Sequence, residues 1–242
     1  MQTKYTRPRK QEVISRIMNE RFFDLKKDRQ DRIINGAMRI FAENGYRHAS
    51  TDEMVSAAGI SKGLLFHYFK SKKGTFRFLY EYGTRYSMVE LREAERHAGC
   101  DFFEMYRLLT KADSAVLRKY PYLLLFLKRA DRELTKIDAD IQEDLLCRAA
   151  KKRQDLLRGA SRSPFISAED TEQIMQLLEY TREGLIRELL ETAPGRASGK
   201  AKDSHGSDGP SEEAGPEAGL PLHMAYSVRF SGALRTLHRL NL

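Results

Sequence analysis

Residues 50–69 read Ser-Thr-Asp-Glu-Met-Val-Ser-Ala-Ala-Gly-Ile-Ser-Lys-Gly-Leu-Leu-Phe-His-Tyr-Phe, and they predict two short helices joined by a turn. Ser50 can cap the first helix by accepting a hydrogen bond from a first-turn N–H group. Gly59 can adopt the positive φ that ends a helix without a Cβ penalty. Ser61 then supplies a second cap. The stretch therefore predicts a helix-turn-helix, for which DNA is the expected partner.

The second helix of this pair is expected to read the DNA. Leu65 and Phe69 are four residues apart and are predicted to face inward, whereas the remaining side chains face elsewhere. In a helix-turn-helix the second helix lies in the major groove with its N-terminal residues near the base edges. The predicted DNA-binding residues are Ser50, Thr51, Ser61, Lys62, Gly63, Leu64, His67, Tyr68 and Lys72.

A third helix is predicted upstream, where Asp28 can cap a segment that Asn44-Gly45 closes. Its apolar residues recur at helical spacing and form one stripe: Ile33, Ile34, Ala37, Ile40 and Phe41. Downstream, residues 70–74 form a basic turn that opens a longer helix, whose first amides suit a phosphate. Three short helices are therefore expected to share a small core.

In this region the sequence resembles the TetR family of bacterial transcriptional regulators. The resemblance is carried by Phe-Ala-Glu-Asn-Gly-Tyr at residues 41–46, by Ala-Gly-Ile-Ser-Lys-Gly-Leu-Leu-Phe-His-Tyr-Phe at residues 58–69, and by Ser71-Lys72. It covers roughly residues 25–80 and implies an all-α fold. An N-terminal three-helix DNA-binding domain would be followed by a larger helical ligand-binding and dimerisation domain.

The chain departs from the family pattern at Phe66, where the family often has a tyrosine whose hydroxyl touches a phosphate. Phe66 cannot donate that hydrogen bond. We therefore expect backbone anchoring to depend more heavily on Tyr68 and Lys72.

Charge is distributed in keeping with a DNA-binding amino-terminal part. The 242-residue chain has a formal net charge of +8, but residues 1–77 hold 17 Lys and Arg against 8 Asp and Glu, while the remainder holds 25 against 26. A basic domain on a neutral body is the footprint expected for phosphate contact.

Other functional classes find little support in the sequence. We expect no catalytic residues and no cofactor, because there is no glycine-rich phosphate loop and no nucleophile motif. His97 and Cys100 are spaced like half a metal site without a second pair nearby, so no metal is expected, and Cys100 and Cys147 are interpreted as packing residues. No apolar run of membrane-spanning length is present, and the chain is expected to be cytoplasmic.

Three regions are predicted: a basic arm and extra helix at 1–27, the DNA-binding domain at 28–73, and a helical effector-binding and dimerisation domain at 74–242. Within the last region, helices are predicted at about 74–97, 101–119, 121–135, 139–160, 167–192 and 221–240. Residues 193–221 contain 6 of the 16 Gly and 4 of the 7 Pro with almost no large apolar side chains, which predicts a disordered loop.

The last two predicted helices each carry a wide apolar face, which suits a symmetric homodimer, although packing on their own subunit remains an alternative. The resemblance favours the dimer, and a dimer implies a palindromic double-stranded operator. It also implies repression relieved by a small-molecule effector, of a class the sequence does not specify. The alternative is a DNA-binding regulator controlled by a protein partner instead.

Aromatic residues of the larger domain are candidates for lining an effector cavity. Ordinary core packing is the alternative for each. These candidates are Tyr106, Tyr120, Phe126 and Tyr180.

Overall fold

The computed structural model describes residues 21–137, 147–161, 168–192 and 220–239. The predicted basic arm, extra helix and Gly/Pro-rich loop lie outside these residues, apart from their last few positions. The helices within them are α1 Lys27–His48, α2 Thr51–Ala58, α3 Lys62–Phe69, α4 Lys72–Glu90, α5 Arg92–Arg96, α6 Phe102–Lys119, α7 Leu123–Ile137, α8 Arg148–Arg158, α9 Ala168–Thr192 and α10 Leu222–Arg239. The described part of the chain holds no strand beyond an isolated bridge between Asp101 and Ser161. Within the described residues, the predicted all-α architecture is confirmed.

The described residues separate into two compact units. The first consists of residues 21–83 together with residues 126–137, and the second contains residues 84–125 and all described residues from 147 onward. Sequence analysis placed a single boundary after residue 73, whereas the second part of α7 belongs with the helix-turn-helix. This assignment needs contacts between residues about 90 positions apart, which local sequence patterns do not report.

The first unit is built on the apolar stripe of α1. All five predicted stripe residues are buried, and α2 packs closely across α1. Asp28 lies in the first turn of α1 instead of at its cap, because the helix begins at Lys27 and no side chain caps it. The helical backbone is interrupted at Gly45, as predicted, although the helix assignment continues to His48.

Aromatic rings fill the core of this first unit. Phe22, from the lead-in to α1, is fully buried and lies 5.2 Å from the ring of Phe69 and 5.1 Å from that of Phe78. Phe76 of α4 contacts Phe41 of α1, with ring centroids 5.0 Å apart in an edge-on arrangement. Aromatic pairs of this geometry add to the stability gained from burial alone. The lead-in is therefore part of the folded unit.

The second unit is a bundle in which α6 and α10 pack along each other. Its core is drawn from α5, α6, α8, α9 and α10, with Tyr106, Leu109, Leu178 and Phe230 among its buried side chains. Asp101 caps α6 by accepting hydrogen bonds from the N–H groups of Phe103 and Glu104 at 2.9 and 3.3 Å. This bundle holds the candidate effector region.

Helix boundaries differ from prediction in two places. The single helix predicted at 74–97 is divided, because α4 ends at Glu90 and the short α5 follows Leu91. For the helix predicted at 139–160, residues 139–146 lie outside the described residues. The described part begins at Arg148, and Cys147 before it has a left-handed φ of 55°. None of the described helices is long and apolar enough to cross a membrane.

Candidate nucleic-acid interface

The two helices of the helix-turn-helix are held by their predicted caps. Ser50 accepts a hydrogen bond from the Asp52 N–H group at 3.2 Å, and Ser61 accepts one from the Leu64 N–H group at 3.2 Å. Gly59 ends α2 with φ 64° and ψ 43°. Residues with a Cβ adopt this left-handed backbone conformation only at an energetic cost. These bonds satisfy helix-end amides, so the turn is fixed by local chemistry.

The accessible face of α3 begins at its first residue. Lys62, Gly63 and His67 are exposed and Leu64 is half-buried, so four of the predicted reading residues lie on one accessible surface. Lys62 also pairs with Asp52 of α2, with its Nζ 3.0 Å from an Asp52 carboxylate oxygen. Because both partners are exposed, the pair contributes little stability and leaves Lys62 able to turn toward a phosphate.

Tyr68 requires a correction, because the prediction that it faces outward is wrong. Its side chain is only 7% exposed, and its ring lies 5.8 Å from that of Phe22 in an edge-on arrangement. The buried side of α3 therefore includes Tyr68 as well as Leu65 and Phe69. Phe22 from the lead-in covers this side, and the spacing within α3 alone did not indicate that contact. The burial of Tyr68 argues against its anchoring the DNA backbone in place of Phe66.

Lys72 lies at the start of α4, where it fastens the end of α1. Its Nζ donates a hydrogen bond to the Arg47 carbonyl oxygen at 3.2 Å and stands 4.9 Å from the centre of the Tyr46 ring. Partial burial lowers the pKa of Lys72 from its ordinary value. An ammonium group has three N–H donors, so contact with a phosphate is compatible with these interactions. Ser50 and Thr51, at the start of α2, are half-buried.

Two residues that the sequence analysis missed hold the carboxyl end of α1. Arg129 of α7 donates hydrogen bonds to the carbonyl oxygens of Ala42 and Glu43 at 2.9 and 3.0 Å, and Glu133 accepts one from the Tyr46 N–H group at 2.8 Å. The final carbonyl groups of a helix lack partners within it, so an arginine there stabilises the helix end. Arg129 and Glu133 are four residues apart on α7, but this spacing is common on exposed helices and indicates no particular partner.

The four aromatic residues predicted to line an effector cavity do not come together. Tyr106 and Tyr120 are fully buried in the second unit, where Tyr120 packs against Tyr86 with ring centroids 4.9 Å apart. Phe126 instead belongs to the core of the first unit, against Phe76. Tyr180 is 63% exposed. The prediction therefore fails for Phe126 and Tyr180, because helical spacing does not specify which unit or neighbour a face meets.

Metal binding finds no geometric support in the part of the chain that the structure describes. No group of three or more His, Cys, Asp or Glu side chains there is arranged to hold a metal ion. His97 approaches the Glu93 carbonyl oxygen at 2.9 Å through Nδ1. Cys100 and Cys147 are both half-buried.

The capped helix pair, its glycine turn and the accessible start of its second helix define a helix-turn-helix protein of the DNA-binding class. Residues 33–77 match the family described as bacterial regulatory proteins, tetR family. Residues 33–77 of this chain therefore resemble the amino-terminal domain of that family.

Curated relatives match this chain over short stretches. An uncharacterised HTH-type transcriptional regulator of Bacillus subtilis is 34% identical over 68 residues, covering 28% of this chain and 24% of the relative. An HTH-type transcriptional repressor of Mycobacterium tuberculosis is 42% identical over 48 residues, covering 20% of this chain and 26% of the relative. The matches thus span about a quarter of the length of these relatives.

Among solved structures, the crystal structure of the TetR family transcriptional regulator PfmR from Thermus thermophilus is similar with a TM-score of 0.40 and 16% identity. That match covers 84% of this chain and 97% of the other.

Proposed function

We propose that this protein is a transcriptional repressor that binds a palindromic DNA operator as a homodimer and is released by a small-molecule effector. The observation that carries the proposal is the accessible face of α3, with Lys62, Gly63 and His67 exposed at the start and middle of a capped helix. Such a helix enters the major groove and presents its N-terminal side chains to base edges. The Mycobacterium tuberculosis relative is named a repressor, which supports repression over activation.

In this proposal Lys62 and Lys72 neutralise phosphates while His67 approaches a base edge. Lys72 is held near the carboxyl end of α1 by its bond to the Arg47 carbonyl oxygen, so a phosphate bound there would position the whole helix-turn-helix. Phosphate contacts set register and orientation, whereas base contacts give sequence preference. The two roles are therefore divided between neighbouring residues of one surface.

Dimerisation is proposed to use apolar side chains that α9 and α10 leave exposed. Leu177 and Tyr180 lie three residues apart on α9, and Met224 and Val228 lie four apart on α10, each at least half exposed. Tyr226 and Phe230 of α10 are instead buried in the core of their own unit. Exposed apolar patches of this kind are typical of association surfaces. A two-fold dimer would present two copies of α3 to half-sites about 34 to 36 Å apart, or a multiple of that distance.

An effector can release the protein from DNA only if its affinity differs between the DNA-bound and DNA-free states of the protein. The helices that could transmit such a difference along the chain are α4 and α7, because each begins in one unit and ends in the other. On α7, Arg129 and Glu133 hold the carboxyl end of α1. A change transmitted along α7 would therefore act on the helix-turn-helix through the hydrogen bonds that Arg129 and Glu133 make to the end of α1.

The test is binding to operator duplexes selected from fragments of the source genome, measured by fluorescence anisotropy at several salt concentrations. We expect two chains per duplex, and we expect Lys62→Ala to bind more weakly with its log–log salt slope reduced by about 1. Lys111→Ala is the matched control, because Lys111 is exposed in the second unit and its loss removes the same charge. If Lys62→Ala keeps the wild-type slope, or if one chain saturates the duplex, the proposed mode of binding is wrong.

A further inference from the structure

A cluster of charged side chains is buried inside the second unit. Asp113 comes from α6, Arg153 from α8, Glu179 and Arg182 from α9, and the Tyr226 hydroxyl from α10. Four helices thus converge on one polar centre within an otherwise apolar core. Removing charges from water is costly unless each finds a partner, so the pairing within the cluster determines what it can do.

Asp113 is fully satisfied within this cluster. Both its oxygens accept from Arg182, at 2.7 Å from Nε and 2.9 Å from Nη2, and the Tyr226 hydroxyl donates a third bond at 2.9 Å. Burial by itself would raise the pKa of Asp113, but the opposing charges of Arg153 and Arg182 outweigh it and hold that pKa below its ordinary value. Asp113 is therefore a buried carboxylate whose two oxygens both have partners within the cluster.

Arg153 differs, because four of the five N–H groups of its guanidinium lack a hydrogen-bond acceptor. Its Nε donates to Glu179 at 2.7 Å, whereas neither Nη1 nor Nη2 has a hydrogen-bond partner. Nη1 lies 3.2 Å from an Asp113 oxygen, close enough for charge attraction but without hydrogen-bond geometry. The Arg153 side chain is only 7% exposed. Buried donors left without acceptors carry their desolvation cost in full, and such groups call for an explanation.

The chemical group that matches these unpaired donors is a carboxylate. A guanidinium presents two parallel N–H groups that match both oxygens of a carboxylate. Glu179 is the nearest balancing charge, but its side chain is 28% exposed and is screened by water, whereas Arg153 is not. Tyr106, Leu157 and Met175 belong to the apolar core of the same unit, so the proposal assigns the rest of such a ligand to apolar surroundings.

We propose that Nη1 and Nη2 of Arg153 anchor the carboxylate of an otherwise apolar small molecule. This inference rests on the proposed function, because it names the chemical class of the effector. A ligand held there would join the Arg153 donors of α8 to a cluster that already binds α6, α9 and α10 together. It would thereby favour one arrangement of these four helices over another.

The experiment measures binding of octanoate and benzoate to the full-length protein by calorimetry and thermal unfolding, without DNA. The corresponding amides, octanamide and benzamide, have the same apolar bodies without the charge. We expect at least one of the two carboxylates to bind and raise the melting temperature, and its amide to bind at least tenfold more weakly.

Two variants assign the binding to Arg153. Arg153→Met removes the anchor, and Arg153→Lys retains the charge but loses the paired donors; both should weaken carboxylate binding at least tenfold. Arg187→Met is the matched control because Arg187 is exposed on α9, and it should bind as the wild type does. Should Arg153→Met not fold, as judged by circular dichroism, Arg153→Lys and the amide comparison still decide the question.

The inference is overturned if neither carboxylate binds the wild type, if the amides bind equally well, or if the Arg153 variants bind as tightly as Arg187→Met. Operator binding is measured separately in the absence of any ligand. A protein that binds its operator but neither carboxylate refutes the anchor alone. One that binds a carboxylate but no DNA refutes the proposed repressor function and leaves the anchor in place.

Discussion

Replacing Gly36 with alanine tests the close approach of α1 and α2 on which the helix-turn-helix is built. A Cβ added at Gly36 would lie 2.9 Å from the Ala58 nitrogen, 3.1 Å from the Ala57 carbonyl carbon and 3.2 Å from the Ala58 Cα. All three neighbours are backbone atoms of α2, so no side chain can rotate away. To reach the 3.4 Å of an ordinary contact, the two helices must separate by about 0.5 Å.

Two opposing effects set the magnitude. Overpacking a close-packed site costs about 1 to 3 kcal/mol. An alanine inside a helix is favoured over glycine by about 1 kcal/mol. Gly63→Ala is the matched control, because nothing lies within 4 Å of a Cβ at that position and only the favourable effect applies. Gly36→Ala should therefore be less stable than Gly63→Ala by about 1 to 3 kcal/mol.

Hydrogen exchange of the full-length variants reports this difference locally, because amides of α1 and α2 exchange when that unit opens. A difference of about 1 to 3 kcal/mol corresponds to exchange about 5 to 150 times faster in Gly36→Ala than in Gly63→Ala. Amides of α9 serve as an internal reference in the second unit. Equal protection of α1 and α2 in the two variants would refute the backbone contact and the packing that follows from it.

Three further predictions concern polar groups that are buried or partly buried. Tyr226→Phe removes the hydroxyl that donates to Asp113, and should lower the free energy of unfolding in urea by about 1.5 to 3 kcal/mol; an unchanged value would mean that this bond is absent. Because the pKa of Asp113 is lower in the folded state, its contribution to stability is present above the unfolded pKa of about 3.9 and is lost as pH falls through the folded pKa. Unfolding free energy should thus decline in acid below about pH 4, and Asp113→Asn should decline less steeply over that range; identical pH profiles would contradict the assignment. Glu133→Ala should expose the Tyr46 amide to faster hydrogen exchange, whereas Glu133→Gln, which keeps an acceptor, should largely restore its protection; equal exchange in both variants would exclude the bond.

The helix-turn-helix was predictable because its signals are local. Ser50, Gly59 and Ser61 each act on backbone groups within a few residues, through hydrogen bonds or a single φ angle. The five-residue stripe of α1 was predictable for the same reason, since helical spacing alone brings those side chains to one face. These elements required no knowledge of the rest of the chain.

The orientation of Tyr68 was not predictable in this way. Phe22 reaches α3 from a lead-in 46 positions earlier, and its ring covers a side of the helix that spacing leaves undecided. The prediction of aromatic residues lining an effector cavity failed for a related reason. Phe126 and Tyr106 are both apolar positions on helices, and only packing assigns them to different units. An amphipathic pattern identifies a buried face without identifying what buries it.

The sequence by itself determined the helix-turn-helix, its caps and turn, and the family that this amino-terminal domain resembles, since all of these depend on short-range backbone chemistry. Only the tertiary structure decided that the end of α1 is held by Arg129 and Glu133, and that Asp113, Arg153 and Arg182 meet in a buried cluster. Asp113 did give one signal, a charge among apolar neighbours on the buried face of α6. Its partners lie 40 and 69 positions away, and a charge on one helix carries no information about which distant helix supplies its counterpart.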